Sequence, residues 1–160
     1  MQEGQASATA EGMAAIRALE TRRGRDTAVT YDPQAKWFLG TKWSLIAGIG
    51  ATGLGQSLVT AYCDFQYPGL VGWVICRHRQ IDEWLLQCAA EGLEQIVVVG
   101  AGYDTRFDRY KEHFGDAQLF EVDHPATRAR KSDVERAEEA LALDPLVEEL
   151  LGEAERLVIG

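Results

Sequence analysis

The spacing of apolar positions changes near residue 93, and the change predicts two kinds of structure. Residues 7–23 carry Met13, Ile16 and Leu19 at three-residue steps between polar positions, which predicts a helix. Residues 70–91 predict a longer helix, and Gly92 stands where its C-terminal end is expected. The apolar face of this longer helix comprises Val71, Val74, Ile81, Leu85 and Cys88.

The second part of the chain alternates short β-branched runs with polar, helix-forming stretches. Residues 95–99, 118–122 and 156–159 predict strands, the first of them buried on both faces, and residues 125–143 and 145–152 predict helices. The alternation predicts an α/β fold, a Rossmann-like doubly wound parallel sheet with right-handed crossovers. We expect residues 1–92 to form a helical, glycine-rich segment that packs on the core, and residues 93–160 to form the first half of the Rossmann-like domain.

One stretch, residues 43–63, has no charged side chain over twenty-one positions. That length is enough to span a bilayer, but the stretch also contains four glycines, Gln56 and several Ser and Thr residues. A buried or mobile glycine-rich segment is therefore favoured over a membrane span.

Composition narrows the function classes. The 160 residues carry a formal net charge of −9 and a pI near 4.8, which disfavours nucleic acid and anionic lipid as partners. The three cysteines form no CxxC pair, and no histidine lies at metal-ligand spacing from them, so we expect neither a disulfide framework nor a metal site. These features favour a single cytoplasmic domain.

Two glycine-rich motifs compete as ligand-binding loops. The formal GxGxxG pattern spans residues 48–53, but the nearest acid that follows it is Asp64, only eleven residues after Gly53. Gly55 and the Pro68-Gly69 pair also weaken a helix after this motif. We therefore interpret residues 48–53 as a flexible or close-packed segment.

The second motif, residues 99–106, has the context that ligand binding needs. It follows the strongest predicted strand, and Asp123 lies twenty-one residues beyond Gly102, at the end of the next strand, where a carboxylate can accept both ribose hydroxyls. N–H groups at the start of a following short helix would face the ligand. Thr105 replaces the third glycine of the dehydrogenase pattern, and the Asp104 carboxylate would repel a pyrophosphate but tolerate an ammonium group. A tight turn without a ligand is the alternative.

The motifs VVVGAGYDTR and LFEVDHPATRARK, in this order, resemble the leucine carboxyl methyltransferase family, a branch of the class I S-adenosylmethionine-dependent methyltransferases. The stretches ALETRR…YDPQAKWF and RHRQIDEWL are similar to the entry segment of the same family. Residues 41–67 match no part of it.

The resemblance implies an S-adenosylmethionine site. It implies that the glycine loop contacts the methionine part of the cofactor, that the strand-end acid holds the ribose, and that two arginines serve the cofactor carboxylate. One of these arginines is expected in the N-terminal segment, where Arg22 is preferred over Arg23. The residues so implied are Arg22, Arg77, Gly100, Ala101, Gly102 and Asp123. The methyl acceptor would be a small molecule or a protein carboxylate, and no catalytic base can be assigned.

The family fold continues past a third strand, whereas this sequence ends at Gly160, which leads us to expect a fragment or a natural truncation. The first strand would then be an uncovered sheet edge and a route to self-association. Three functions compete: an S-adenosylmethionine-dependent methyltransferase, an NAD(P)-dependent oxidoreductase, and a non-catalytic remnant that acts by association.

Overall fold

A computed structural model describes residues 7–50 and 52–142 of the chain. Six α-helices and two strands lie within these residues, with single 3-10 turns at Ala35–Phe38 and Lys111–His113. The helices are α1 (Ala8–Thr21), α2 (Thr41–Ile49), α3 (Gly53–Gln66), α4 (Leu70–Ala90), α5 (Arg106–Arg109) and α6 (Pro125–Ala142), and the strands are β1 (Gln95–Val99) and β2 (Gln118–Val122). The predicted helix over 145–152 and the predicted strand over 156–159 lie outside the described residues.

Strands β1 and β2 pair in parallel, with Gln95 opposite Gln118 and Val99 opposite Val122. Both strands end at the same edge of the sheet, so Gly100 and Asp123 follow at neighbouring points. The predicted strands at 95–99 and 118–122 and the predicted helices at 7–23, 70–91 and 125–143 are confirmed. The described residues therefore form a mixed structure of helices and a small parallel sheet.

The prediction that β1 is buried on both faces is wrong for the described residues. Ile96 is buried, but Val97 is 52% exposed and Val99 is 79% exposed. Val97 and Val99 lie on the face of the sheet opposite to Ile96, and the described residues leave that face uncovered. A β-branched run reports the preference of residues for a strand, and it does not report how many layers cover that strand.

Helix α1 connects the N-terminal segment to the sheet. Ser7 caps it, since the Ser7 hydroxyl accepts a hydrogen bond of 3.2 Å from the backbone N–H of Ala10. Ala14 of α1 lies in a buried cluster with Phe38 and Tyr103, whose rings stack at 4.9 Å. Tyr103 directly follows Gly102, so the N-terminal segment packs against the glycine loop.

The uncharged stretch, residues 43–63, is predominantly helical and largely exposed, so the expectation that it is buried is wrong. It contributes most of α2 and α3, and Thr52 caps α3 by accepting a hydrogen bond of 3.1 Å from Gly55 N–H. Large apolar side chains on these helices face solvent, among them Leu54 at 74% and Phe65 at 83% exposed. Within residues 7–50 and 52–142, no helix is long and apolar enough to cross a membrane.

The buried face of α4 matches the predicted apolar face in its first turns, at Val71 and Val74, and departs from it further along the helix. Its buried residues are Val71, Val74, Ile75, His78 and Asp82. Cys88, assigned to the apolar face, is exposed. The buried face turns toward His78 and Asp82 because their polar groups have partners in α1 and α5.

Candidate functional site

The glycine loop begins where β1 ends, and its backbone is tied to the end of β2. The backbone N–H groups of Gly100 and Ala101 donate to the Val122 carbonyl at 2.7 and 3.3 Å. Gly100 has φ +69° and Gly102 has φ +57°, a left-handed conformation that favours glycine. A Cβ on Gly100 would meet no atom within 4 Å, so there is open space beside the loop at this point.

Asp123 lies at the end of β2, as the sequence predicts, and it is in direct contact with Gly102. The Asp123 carboxylate accepts hydrogen bonds from the backbone N–H groups of Gly102 and His124. A carboxylate has about four acceptor positions, so two remain for ligand hydroxyls. The end of β2 and the glycine loop therefore form one hydrogen-bonded unit that still has acceptor capacity.

The two predicted arginines lie apart from this unit. Arg22 directly follows α1, is exposed, and lines a cavity of about 450 Å³ with Lys36 and Ser44. Arg77 is exposed on α4, and its guanidinium lies 4.8 Å from the centre of the Trp73 ring. In the described part of the chain, no hydrogen bond or ion pair joins either arginine to the glycine loop. Their roles remain proposals.

A buried arginine that sequence reasoning missed holds the loop instead. Arg17 of α1 is 3% exposed, and its Nη2 donates to the Tyr103 carbonyl at 2.6 Å. Its Nε pairs with Asp32 Oδ2 at 2.7 Å, and the Thr105 hydroxyl donates to the same carboxylate oxygen at 2.8 Å. The N-terminal segment thereby fixes the loop residues from both sides of Asp104.

A second buried cluster connects α4 to α5. Arg106 Nε lies 2.5 Å from Asp82 Oδ1, Arg109 Nη1 lies 3.0 Å from Asp82 Oδ2, and the Tyr110 hydroxyl donates to Asp82 at 2.9 Å. Burial raises the pKa of Asp82, but the Arg109 and Arg106 guanidinium groups outweigh burial and hold that pKa below its usual value. The carboxylate is therefore ionised and fully partnered.

The charge on Asp104 is also compensated, which corrects one argument made from the sequence. Asp104 pairs with Arg106 and accepts a hydrogen bond from the Arg106 backbone N–H at 2.8 Å. Because this carboxylate is neutralised within the protein, it gives little reason to exclude a pyrophosphate. The same bond occupies the first N–H of α5, the short helix that follows the loop.

His78 lies beside the buried Arg17–Asp32 pair and is held neutral. Its Nδ1 donates to the Val74 carbonyl at 2.8 Å, and its Nε2 lies 3.4 Å from Arg17 Nη1. Burial, with the nearby Arg17 guanidinium, lowers the pKa of His78 to about 4. Val71, Ile75, His78 and Asp82 are spaced four, three and four residues apart, a helical-face signal that could have indicated burial of the two polar residues.

Other site types receive less support from the geometry. The GxGxxG pattern at residues 48–53 runs from the end of α2 to the start of α3, so it follows a helix rather than the strand that a dinucleotide loop needs. Among the described residues, no group of three or more His, Cys, Asp or Glu side chains could hold a metal ion.

A glycine turn after one parallel strand, with a carboxylate at the end of the next, is the arrangement of α/β domains that bind nucleoside-containing ligands. Comparison with known families identifies the particular branch: the chain belongs to the family described as Leucine carboxyl methyltransferase, which it matches over residues 10–156. The predicted family is thus confirmed.

Curated relatives agree with this assignment. A Mycobacterium marinum protein named as a candidate S-adenosyl-L-methionine-dependent methyltransferase is 36% identical over 124 residues, which cover 74% of this chain and 37% of the relative. A similarly named Streptomyces coelicolor protein is 33% identical over 84% of this chain and 44% of its own length. The chain thus spans about two fifths of the length of these relatives. No solved structure matches the chain.

Proposed function

We propose that the chain is part of an S-adenosyl-L-methionine-dependent methyltransferase and contributes the methionine and ribose portions of the cofactor site. The observation that carries this proposal is the contact between Asp123 and Gly102 N–H at the ends of two parallel strands. Family membership supplies the ligand class, and the names of the relatives agree with it. The cofactor, when bound, supplies the methyl group.

The loop fits such a ligand in its space and in its chemistry. Open space beside Gly100 admits a ligand close to the backbone, and Asp123 keeps acceptor positions for ribose hydroxyls. Residues 1–92 would position and cover the loop through Arg17, while residues 93–160 would supply the loop itself. Arg22 and Arg77 would serve the cofactor carboxylate after their side chains turn from their present positions.

The acceptor is proposed to be an oxygen nucleophile, and the family name favours a carboxylate. A carboxylate is already deprotonated near neutral pH, so its methylation requires alignment with the donor carbon rather than a general base. This requirement agrees with a site whose buried charged residues hold backbone in place.

The proposal is tested by ligand binding. Calorimetry on the 160-residue chain should show that S-adenosylhomocysteine binds in the high micromolar range, while NADH shows no heat of binding. Asp123→Ala should lower the affinity for S-adenosylhomocysteine by about 10- to 150-fold, since hydrogen bonds to a charged group contribute about 1.5–3 kcal/mol.

Asp116→Ala is the matched control, because Asp116 is an exposed aspartate outside the loop. Equal affinity of wild type and Asp123→Ala would contradict the ribose assignment, and preferential binding of NADH would favour the oxidoreductase. Cofactor binding without methyl transfer by any longer form of the protein would favour the non-catalytic remnant.

A further inference from the structure

A cavity of about 420 Å³ lies between the loop that follows α1, the middle of α4 and the end of α5. The glycine-loop residues 100–102 do not line it, so it is separate from the proposed cofactor site. Its volume is within the range of small-molecule sites. The lining residues that matter below are Arg25, Thr30, Gln34, Arg79, Asp82 and Arg109.

The charge of the cavity lining is opposite to the charge of the whole chain. Three arginines and one carboxylate line it, whereas the chain carries a formal net charge of −9. Arg109 is paired with the buried Asp82 at 3.0 Å, so the positive charge at the cavity comes from Arg25 and from Arg79, which makes an exposed pair with Glu83. Both are exposed, which places them at the mouth.

The two exposed arginines retain donors for a ligand. The Arg25 guanidinium lies 4.5 Å from the centre of the Tyr31 ring, a stacked position that leaves its N–H edge available. Arg79 binds Glu83 through Nε at 2.5 Å, and its two Nη groups have no hydrogen-bond partner in the described part of the chain.

Unsatisfied polar atoms indicate that the interior of the cavity is built for a polar ligand. Thr30 is 2% exposed, and its hydroxyl has no hydrogen-bond partner among the described residues. Gln34 Oε1 is also buried and has no hydrogen-bond partner among the described residues. Buried polar atoms are nearly always paired, so a ligand group that accepts from Thr30 and donates to Gln34 would satisfy two atoms that the described residues leave without partners.

We propose that this cavity binds a small oxyanion that also carries a hydroxyl group, with hydrogen phosphate as the simplest example. Arg25 and Arg79 neutralise the anion, the Thr30 hydroxyl donates to one of its oxygens, and its own hydroxyl donates to Gln34 Oε1. Free phosphate and a hydroxyl-bearing phosphomonoester share this chemistry, and the cavity volume admits either.

Binding is measured by calorimetry on the 160-residue chain at constant ionic strength, with inorganic phosphate, glycerol phosphate and sulfate as separate probes. Phosphate should bind at least fivefold more tightly than sulfate, because sulfate lacks the hydroxyl donor. Tighter binding of glycerol phosphate would identify a phosphomonoester, and tighter binding of inorganic phosphate would identify the free ion. Equal affinity for phosphate and sulfate, or no binding of either phosphate probe, would overturn the proposal.

Variants separate the cavity from a general attraction of anions to arginine. Arg79→Gln and Arg25→Gln should each weaken phosphate binding at least fivefold. Arg136→Gln, which removes an exposed arginine of α6, should leave phosphate binding unchanged. Thr30→Val should weaken phosphate while the melting temperature of the ligand-free protein holds or rises, because the substitution removes an unpartnered hydroxyl. An equal effect of Arg136→Gln and Arg79→Gln, or unchanged phosphate affinity in Thr30→Val, would contradict the site.

Discussion

Asp82 is the residue on which the buried charges of α4 and α5 converge. Its carboxylate contacts Arg106, Arg109 and the Tyr110 hydroxyl, and it is 3% exposed. Asp82→Ala should lower the free energy of unfolding by about 3–5 kcal/mol, because the buried Arg106 and Arg109 guanidinium groups would lose the carboxylate that they share. Urea unfolding followed by circular dichroism measures this loss.

The neighbouring residue provides the matched control. Glu83 makes an exposed ion pair with Arg79, with both side chains at least half exposed. Glu83→Ala should change the free energy of unfolding by less than about 1 kcal/mol, since exposed pairs contribute little. Similar losses in the two variants would mean that the Asp82 cluster does not act as a buried unit.

His78 should make stability depend on pH. Its folded pKa is about 4 against an unfolded value of 6.5, so the unfolded chain binds more protons between these values. The free energy of unfolding should therefore fall as pH decreases from 6.5 to 4, by up to about 3 kcal/mol from this residue. Urea unfolding at half-unit pH intervals gives the slope.

The control variants isolate the contribution of His78 to that slope. His78→Asn should flatten the slope relative to wild type even if the variant is less stable overall, whereas His113→Gln, at an exposed histidine, should leave it unchanged. Burial raises the pKa of Glu135, so Glu135 changes the pH dependence of stability in the opposite direction. Because Glu135 is present in all three proteins, its effect cancels in the comparison. An unaltered slope in His78→Asn would rule out this assignment.

At the residue scale the sequence predicted contacts that follow from order along the strands, and it missed contacts between distant segments. The glycine loop and Asp123 were correctly placed at the ends of two neighbouring parallel strands. Arg17 was missed because its partners Asp32 and Tyr103 lie 15 and 86 positions away. Such pairs leave no local periodicity, and a buried arginine in a helix looks like any polar position until its partners are known.

At the scale of elements, the two glycine motifs differ in what a side chain would meet. A Cβ on Gly102 would lie 3.2 Å from the Ala10 Cβ of α1, and the positive φ adds strain. Gly102→Val should therefore separate α1 from the loop and reduce both the melting temperature and the affinity for S-adenosylhomocysteine. Thermal unfolding with and without the ligand measures both effects.

Two further glycines serve as controls. Gly48 lies inside α2 with no atom within 4 Å of a Cβ, so Gly48→Ala should raise stability by about 0.5–1 kcal/mol and leave ligand affinity unchanged. Gly50 is unsuitable, since its Cβ would lie 2.5 Å from Leu19 Cδ1. A larger loss of ligand affinity in Gly48→Ala than in Gly102→Val would show that the wrong loop was chosen.

The elements that the sequence predicted well are those with strong end signals. Helix α4 ends just before Gly92, which has φ +88°, and β1 ends just before Gly100. Helices α2 and α3 were missed because their glycines lower helix propensity and their exposed apolar side chains resemble a buried segment. In both helices the solvent-facing leucines, including Leu45 and Leu54, conceal the usual division into apolar and polar faces.

At the scale of the whole molecule, two apolar surfaces could drive association: the exposed face of β1, and the outward side of α2 and α3. Val97 and Val99 lie on the first surface, and Leu54, Leu58 and Phe65 lie on the second. The net charge of −9 opposes association between copies, and added salt weakens that repulsion.

We expect the 160-residue chain to associate through β1. Among the described residues β1 pairs on one side only, with β2, and its free side presents backbone donors and acceptors beside Val97 and Val99. Light scattering should show species larger than a monomer that increase with protein concentration and with salt. Val97→Lys should return the chain to a monomer, because a charged side chain on an edge strand opposes strand pairing.

Leu54→Lys is the matched test of the other surface, since it places the same charge on α3 at a residue that is 74% exposed. Association that persists in Leu54→Lys and disappears in Val97→Lys would locate the contact at the edge of the sheet. The reverse pattern would locate it on α2 and α3, and a clean monomer of the wild-type chain at high salt would exclude both. Because β1 leads directly into the glycine loop, association at this edge should also lower the affinity for S-adenosylhomocysteine as protein concentration rises. Val97→Lys should remove that concentration dependence, which calorimetry at two protein concentrations can measure.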